Sequence, residues 1–310
     1  MELWRHNGLN FASPFAVGVP APNGAADVTV RVVGALPLGL TATGPVVAEM
    51  RLPSGAIYTV YEAGNGYLLR FHGLAQFWVS GDTSEVLCEP GDESTEGYLG
   101  VLLVGTITAL LLTLRGYAVL HASAVSWHGR AVVFAGVSGR GKTTAAALAC
   151  AAGGEFLCDD VVALTRADGA VAIYGLGYEL RLREAAAGII DLFDPSPPCR
   201  RTADDRLAVQ PRRATEELNA IAAVVLPRPQ RGSDRLTTRR LGPQSAVTHL
   251  LASARVPNMV PLRLQRPYFE LVADLAAGVP VVEADLPWGP PFEASFIAEL
   301  VDGVVASAHR

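Results

Sequence analysis

The sequence predicts an α/β protein with a small, mostly-β N-terminal domain over residues 1–97 and a larger α/β domain over residues 98–310. Three features indicate this fold class. The first 97 residues contain short alternating apolar segments separated by Pro, Gly and Asn, which is typical of antiparallel strands. A glycine-rich loop follows a strand-like run at Gly136 and opens a helix. Beyond residue 267 a helix, a strand and a terminal helix follow one another.

The composition is that of a globular protein. A chain of 310 residues has a prior of about two domains and can bury a large core. Half of the residues are hydrophobic, 18% are charged and the mean hydropathy is +0.29, which excludes a disordered chain. The net charge of −5 argues against a general nucleic-acid binder, so we expect no nucleic-acid partner.

Cysteine spacing and apolar runs indicate a cytoplasmic protein. The four cysteines contain no C-x-x-C pair, so we expect reduced thiols and no zinc site. The N-terminus, MELWRHNGLNF, lacks the basic and apolar regions of a signal peptide. Residues 99–114 are uncharged, which suits either a membrane span or a buried core helix. Because this run is short and contains Gly and Thr, the core helix is favoured, and we expect no membrane partner.

The N-terminal domain is predicted from five strand-like segments, at residues 28–34, 46–52, 56–62, 66–72 and 75–80. The acidic loop EPGDESTEG at 89–97 is a plausible domain boundary because it is polar and contains Gly and Pro.

The larger domain is predicted to begin with a helix at 98–114. Residues 191–240 are expected to be rich in loops and contain ten arginines. After them we expect a helix at 267–278, a strand at 279–285 and a helix at 291–309.

Residues 136–144, GVSGRGKTT, match the phosphate-binding pattern G-x-x-x-x-G-K-[ST]. Glycines let successive N–H groups turn inward as an anion-binding nest, and a helix starting at about Thr143 adds unpaired N–H groups. Lys142 is the only lysine among 25 basic residues, which fits a loop that needs a compact charge on a flexible stem. The alternative is a chance match in a Gly/Ser loop. The predicted phosphate-contacting residues are Gly136, Val137, Ser138, Gly139, Arg140, Gly141, Lys142, Thr143 and Thr144.

Two strand-like runs, 117–125 and 130–136, precede this loop. A two-residue turn at His128 and Gly129 makes them an antiparallel hairpin in which Trp127 faces Arg130. The same register puts His121 opposite Gly136, beside the start of the loop. The alternative for His121 is a buried strand histidine with a backbone partner.

After the loop, TTAAALACAAGG predicts a helix of about ten residues that ends at Gly153 and Gly154, and EFLCDD predicts a short buried strand. A strand in this position can return beside the strand that enters the loop, which would bring Asp159 and Asp160 close to the phosphates. One carboxylate would then hold Mg²⁺ and the other would accept a proton from an attacking hydroxyl. A solvent-exposed acidic turn is the alternative.

The hairpin, the loop and the paired acids together resemble the HPr kinase/phosphorylase family, which is related to phosphoenolpyruvate carboxykinase. The segments LHASAV, GVSGRGKTT and LCDDV are most similar to stand-alone HPr-kinase-like proteins associated with modified ribosomal peptides, including lasso-peptide kinases. The resemblance covers about residues 115–165. It implies a P-loop kinase domain that uses ATP and Mg²⁺.

The resemblance also implies roles for individual residues. Lys142 and the loop amides would hold the β- and γ-phosphates, and Thr143 would bind Mg²⁺. Asp160 would be the general base on the acceptor hydroxyl, with His121 and Asp159 in support.

Family members have a further metal-binding Glu about 40 residues after the lysine. This chain has Ala185 there, so Glu184 or Glu179 must replace it, and the predicted metal ligands are Thr143, Asp159 and Glu184. The family signature for phosphorolysis and HPr docking is not recognisable, which argues against HPr as the substrate.

These patterns suggest four candidate functions, of which the third, a carboxykinase, is disfavoured. The first is a kinase for a serine- or threonine-type hydroxyl on a peptide, and the second is a small-molecule hydroxyl kinase. A carboxykinase would need a second active-site lysine, which this chain lacks. The fourth is a nucleotide-binding regulator without transfer activity.

The sequence leaves the acceptor, the nucleotide base and the oligomeric state open, including a homo-oligomer. A peptide acceptor is expected to add to an edge strand of the N-terminal domain, with arginines between Arg200 and Arg240 meeting its charge. The alternatives are that the domain's aromatic residues are core and that those arginines form a solvated loop.

Overall fold

Two units divide the chain, Met1–Gly116 with Val256–Gln265 and Tyr117–Arg255 with Arg266–Arg310. The computed structural model describes residues 1–21, 24–41, 44–51, 57–92, 95–259 and 261–307. Its helices and several sheets make a mixed α/β protein. The first unit extends past the predicted boundary at residue 97 and includes the helical segment predicted for 98–114.

The first unit contains one twisted sheet whose nine described strands lie in the order β3-β1-β2-β4-β9-β8-β7-β6-β5. The strands are β1 Glu2–His6, β2 Leu9–Ser13, β3 Val19–Pro20, β4 Val28–Val32, β5 Val46–Arg51, β6 Ile57–Ala63, β7 Gly66–Phe71, β8 Ala75–Ser80 and β9 Glu85–Pro90. The five predicted segments fall on β4 to β8, with residues 52 and 56 outside the described residues. Strands β1, β2, β3 and β9 were not predicted.

The aromatic side chains of this sheet belong mainly to its core. Tyr58, Phe71, Phe77 and Trp78 are all buried, and the rings of Phe71 and Phe77 pack edge to face. Trp78 Nε1 donates a hydrogen bond to the carbonyl of Ala63. The core interpretation therefore holds for these four residues.

A continuous helical segment follows the sheet, with α1 at Glu96–Leu102, a π-helical turn at Leu103–Ile107 and α2 at Thr108–Leu114. By length and composition this segment could cross a membrane, but 61% of its most apolar 18-residue stretch is buried inside the protein. The ring of His6 lies 3.2 Å from the carbonyl oxygen of Val104, inside the same unit. These features are typical of a core helix.

The second unit contains a large sheet in the order β10-β14-β15-β19-β12-β11-β13, with β21 paired to β19 and β20 to β21, and a small sheet β16-β18-β17. Its strands are β10 Ala118–Leu120, β11 Ala122–Trp127, β12 Arg130–Ala135, β13 Glu155–Asp159, β14 Val162–Ala167, β15 Ala170–Tyr174, β16 Leu180–Leu182, β17 Cys199–Arg201, β18 Leu207–Val209, β19 Leu218–Gln230, β20 Thr237–Arg240 and β21 Val281–Pro287.

The remaining helices are α3 Lys142–Ala151, α4 Pro243–Ala252, α5 Leu262–Gly278 and α6 Ala294–Ser307. Short 3₁₀ helices occur at Leu38–Leu40, Glu184–Leu192 and Pro257–Met259. Residues 308 and 309 of the predicted terminal helix lie outside the described residues. Half of the ten residues of α3 are alanine, and residues 145–149 are all buried. Because alanine is small, α3 can lie close to β11, β12 and α6.

The predicted hairpin is confirmed. β11 pairs antiparallel with β12 in the register Trp127 to Arg130 and Ala122 to Ala135. His121 interrupts the predicted strand 117–125 between β10 and β11, and its backbone N–H donates to the carbonyl of Ser253 at 2.7 Å.

Two predictions about the second unit need correction. Residues 191–240 do contain long loops, but the prediction missed β19, which extends over 13 residues and lies at the centre of the large sheet. Its apolar stretch IAAVVL is buried, whereas its end, PRPQ, resembles a loop in composition. The return strand β13 pairs with β11 and not with β12, the strand that enters the glycine-rich loop.

Candidate active site

One edge of the large sheet gathers the predicted site residues. β12 is parallel to β19, and β19 is parallel to β21. β11 is antiparallel to both β12 and β13, so β13 points the same way as β12. The carboxyl ends of four strands therefore lie at one edge, together with the amino end of β11. Ligands of α/β sheets bind at such an edge.

The glycine-rich loop joins β12 to α3 at this edge. Gly136, Gly139 and Gly141 have φ angles of 133°, 84° and 76°, which L side chains rarely adopt. Among the described residues no side chain caps the start of α3, which leaves its first N–H groups for an anion.

Lys142 is buried beneath the loop. Its side chain is 6% exposed, and Nζ donates to the carbonyl of Val137 at 3.1 Å. Burial lowers the pKa of Lys142 to about 8, although the nearby charges of Asp160 and Asp159 raise it. A phosphate bound at the loop would place a negatively charged partner next to this ammonium group.

Asp159 is held by neutral donors. Its Oδ1 accepts hydrogen bonds from Thr143 Oγ1 at 2.9 Å and from Ser123 Oγ at 2.6 Å. Its Oδ2 accepts one from the backbone N–H of Arg181 at 3.1 Å. Asp159 is therefore the carboxylate that contacts the hydroxyl of Thr143, the residue after Lys142.

Asp160 is held by charged donors. Its Oδ1 lies 2.9 Å from Nδ1 of His121, and its Oδ2 accepts from Arg181 at 3.1 Å and from Arg255 at 3.2 Å. Burial alone would raise the pKa of Asp160, but Arg255, His121 and Arg181 outweigh it and hold the pKa well below its usual range. Asp160 also has a φ of 69°, a left-handed conformation that Asp tolerates better than most residues. The carboxylate is therefore ionised and fixed in place.

A cleft runs along the sheet edge over these groups. Basic side chains outnumber the two carboxylates in its lining, which favours a polyanionic ligand. The basic residues are Lys142, Arg181, Arg183, Arg206 and Arg231. Two aromatic residues, Trp288 and Phe292, also line the cleft.

Most of the predicted site residues meet in this cleft. Those that line it are His121, Ser138, Gly139, Gly141, Lys142, Thr143, Thr144, Asp159 and Asp160. Gly136, Val137 and Arg140 line a neighbouring cleft instead, which also contains His249 and Glu283.

The structure does not bring the two candidate glutamates into the cleft. Glu184 is 69% exposed and pairs with Arg201 at 2.9 Å. Glu179 is buried and pairs with Arg200, also at 2.9 Å. In the part of the chain that the structure describes, no group of three or more His, Cys, Asp or Glu side chains is arranged to hold a metal ion.

Thr143 and Asp159 nevertheless fit Mg²⁺. Their oxygens lie 2.9 Å apart beside the glycine-rich loop. Mg²⁺ needs few protein ligands because it keeps several waters and binds substrate phosphates. The donor chemistry therefore suits a magnesium ion that arrives with a phosphate ligand.

Sequence reasoning missed Ser123, Arg181 and Arg255. Ser123 had only the signal that it lies two residues after His121, because its pairing with Asp159 across β11 and β13 is set by the tertiary fold. The two arginines had none, because they reach Asp160 from distant parts of the chain, at β16 and after α4.

No protein-family model and no curated protein matches the chain. Among solved structures, it is similar to the Hpr(Ser) kinase/phosphatase from Coxiella burnetii, at 12% identity and a TM-score of 0.28. The alignment covers 62% of this chain and 96% of that chain. A similarity at that TM-score establishes neither a shared fold nor a shared activity.

Proposed function

We propose that this protein is an ATP- and Mg²⁺-dependent kinase that transfers the γ-phosphate of ATP to a serine- or threonine-type hydroxyl on a peptide. The observation that supports it is the pairing of two half-sites in one cleft. A buried lysine in a glycine-rich loop suits phosphate, and an ionised carboxylate beside a histidine suits a hydroxyl donor.

In the proposed reaction, Lys142 and the N–H groups at the start of α3 bind the β- and γ-phosphates. Thr143 and Asp159 would hold Mg²⁺, which supplies positive charge to the phosphate oxygens when bound. These roles for the two aspartates agree with their contacts. Asp159 contacts the Thr143 hydroxyl, whereas Asp160 contacts His121.

The acceptor hydroxyl donates a hydrogen bond to Asp160. The hydroxyl oxygen forms a bond to the γ-phosphorus, the bond from that phosphorus to the β–γ bridging oxygen breaks, and ADP leaves with the electron pair. The hydroxyl proton passes to Asp160. A carboxylate of low pKa is a weak base, but a loose phosphoryl-transfer transition state asks mainly for orientation and charge stabilisation. Arg181 and Arg255 keep the carboxylate ionised and oriented.

A transfer assay tests the proposal. The full chain is incubated with γ-labelled ATP, Mg²⁺ and one acceptor at a time: serine-ended peptides, free serine or a panel of hydroxyl metabolites. We expect label on the peptide, and no label when Lys142→Ala is used. Label on a metabolite alone would indicate a small-molecule kinase. Binding of ATP without transfer to any acceptor would indicate a regulator, and both results contradict the peptide kinase.

Binding of ATP is expected to depend on pH through Lys142. The pKa of about 8 in the free protein means that the amine is largely charged at pH 7 and largely neutral at pH 9. Phosphate favours the charged form, so affinity should be constant below pH 8 and fall up to about tenfold per unit above it. Calorimetry at pH 9 in buffers of different ionisation heat should detect uptake of nearly one proton.

The control for this prediction is Lys142→Arg, since a guanidinium stays charged at both pH values. Any binding that this variant retains should take up no proton at pH 9. Equal affinity of the unmodified protein at pH 7 and pH 9 would contradict the role of Lys142.

A further inference from the structure

Two aromatic side chains in the cleft have no role in the proposed transfer. Trp288 and Phe292 follow β21 and pack edge to face, with ring centroids 5.8 Å apart and an angle of 86° between the rings. Both are partly exposed, and both also pack against the hydrophobic core of the unit. Their positions are therefore fixed, while part of each ring faces the cleft.

Trp288 lies directly over the glycine-rich loop. A Cβ atom on Gly141 would be 2.4 Å and 2.5 Å from two carbons of the indole ring. The backbone N–H of Trp288 donates to the carbonyl of Gln230 at 3.2 Å, which ties the backbone of Trp288 to the end of β19. The residue before Lys142 thus has to be glycine for this ring to lie against the loop.

The order of the strands separates Trp288 from the reacting end of the cleft. Along the sheet edge the order is β21, β19, β12, β11 and β13. Trp288 follows β21, the glycine-rich loop follows β12 in the middle, and Asp160 follows β13. With strands about 4.8 Å apart, β21 and β13 lie on opposite sides of β12, each roughly 10 Å from it, and the ring of Trp288 reaches back to the loop at Gly141.

This arrangement of charged and aromatic side chains matches a nucleoside triphosphate in length and in the order of its phosphate and base ends. If the transferred phosphate lies beside Asp160, the other end of the ligand points across the loop toward β19 and β21. Arg231 comes immediately after β19 and lines the same cleft, with its guanidinium available for a phosphate near the ribose.

We infer that Trp288, supported by Phe292, is the stacking surface for the nucleobase. This inference depends on the proposed function, because it assigns the base end of the same ligand. Aromatic stacking accepts any base, since every base has a π face. The site should therefore bind ATP and GTP with similar affinity.

The test compares ATP with inorganic tripolyphosphate, both with Mg²⁺, by calorimetry on the full chain. Trp288→Ala is expected to weaken ATP about ten- to hundredfold and to leave tripolyphosphate binding unchanged. Trp288→Phe should retain most of the ATP affinity, and Trp4→Phe, in the other unit, serves as the matched control. Unchanged tripolyphosphate binding also reports that the loop is intact in the alanine variant.

Each outcome has a distinct meaning. Equal weakening of both ligands by Trp288→Ala, or no weakening of ATP, overturns the stacking role and leaves the kinase proposal in place. If the unmodified protein binds neither ATP nor tripolyphosphate, the proposed function itself fails.

Discussion

Replacing Lys142 with arginine is expected to lower phosphoryl transfer by about a hundredfold, so arginine does not rescue the transfer that alanine abolishes. The lysine amine is buried under the loop, 3.1 Å from the carbonyl of Val137. A planar guanidinium is larger and would misplace its charge by about an ångström, which is enough to cost this factor in a transfer reaction. The measurement is the single-turnover rate with saturating ATP and Mg²⁺.

A third variant, Lys142→Met, separates activity from folding. Because burial lowers the pKa of Lys142, the charged amine is unfavourable in the free protein, and an apolar side chain of similar length should preserve or raise the melting temperature. Transfer at a near-normal rate by Lys142→Arg would show that the loop needs only a positive charge, against this interpretation.

Replacing Asp160 with asparagine is expected to lower turnover by roughly two orders of magnitude or more while ATP and Mg²⁺ still bind. Asparagine keeps the shape of the side chain and tolerates the left-handed backbone at a φ of 69°. It removes the charge that orients the hydroxyl and faces His121. Nucleotide affinity should be retained or increase, because a negative charge leaves a cleft that binds an anion.

Asp168→Asn is the matched control. Asp168 also has a positive φ, 49°, but it lies in the exposed turn between β14 and β15 and does not line the cleft. Its replacement should leave turnover unchanged. If Asp160→Asn abolished binding of ATP with Mg²⁺ while Asp159→Asn reduced only turnover, the roles of the two aspartates would have to be exchanged.

The local parts of the site could be predicted from the sequence. The pattern around Lys142 specifies a strand, a loop and a helix within a few residues, and the turn at His128 and Gly129 sets the register of β11 and β12. Both features depend on short-range geometry. Asp159 and Asp160 were placed correctly at the end of a strand, since the pattern of a short buried strand is also local.

The long-range parts could not be predicted. Which strand lies next to β13 depends on sheet assembly, and the pairing with β11 rather than β12 has no signature in the sequence of either strand. Arg181 and Arg255 are two of 24 arginines, and only the tertiary fold brings them to Asp160. Position 184 illustrates the opposite error, because a spacing taken from a resemblance selected a glutamate that pairs with Arg201 at the surface.

The gathering of strand ends at one sheet edge also bears on folding. More than half of the chain lies between His121 and Trp288. The segments that carry these two residues therefore come together only after contacts of high sequence separation have formed. We expect the cleft to be complete only late in folding of the second unit. A ligand that bridges it binds only the folded state and, at a hundred times its Kd, should stabilise that state by about 2.7 kcal/mol.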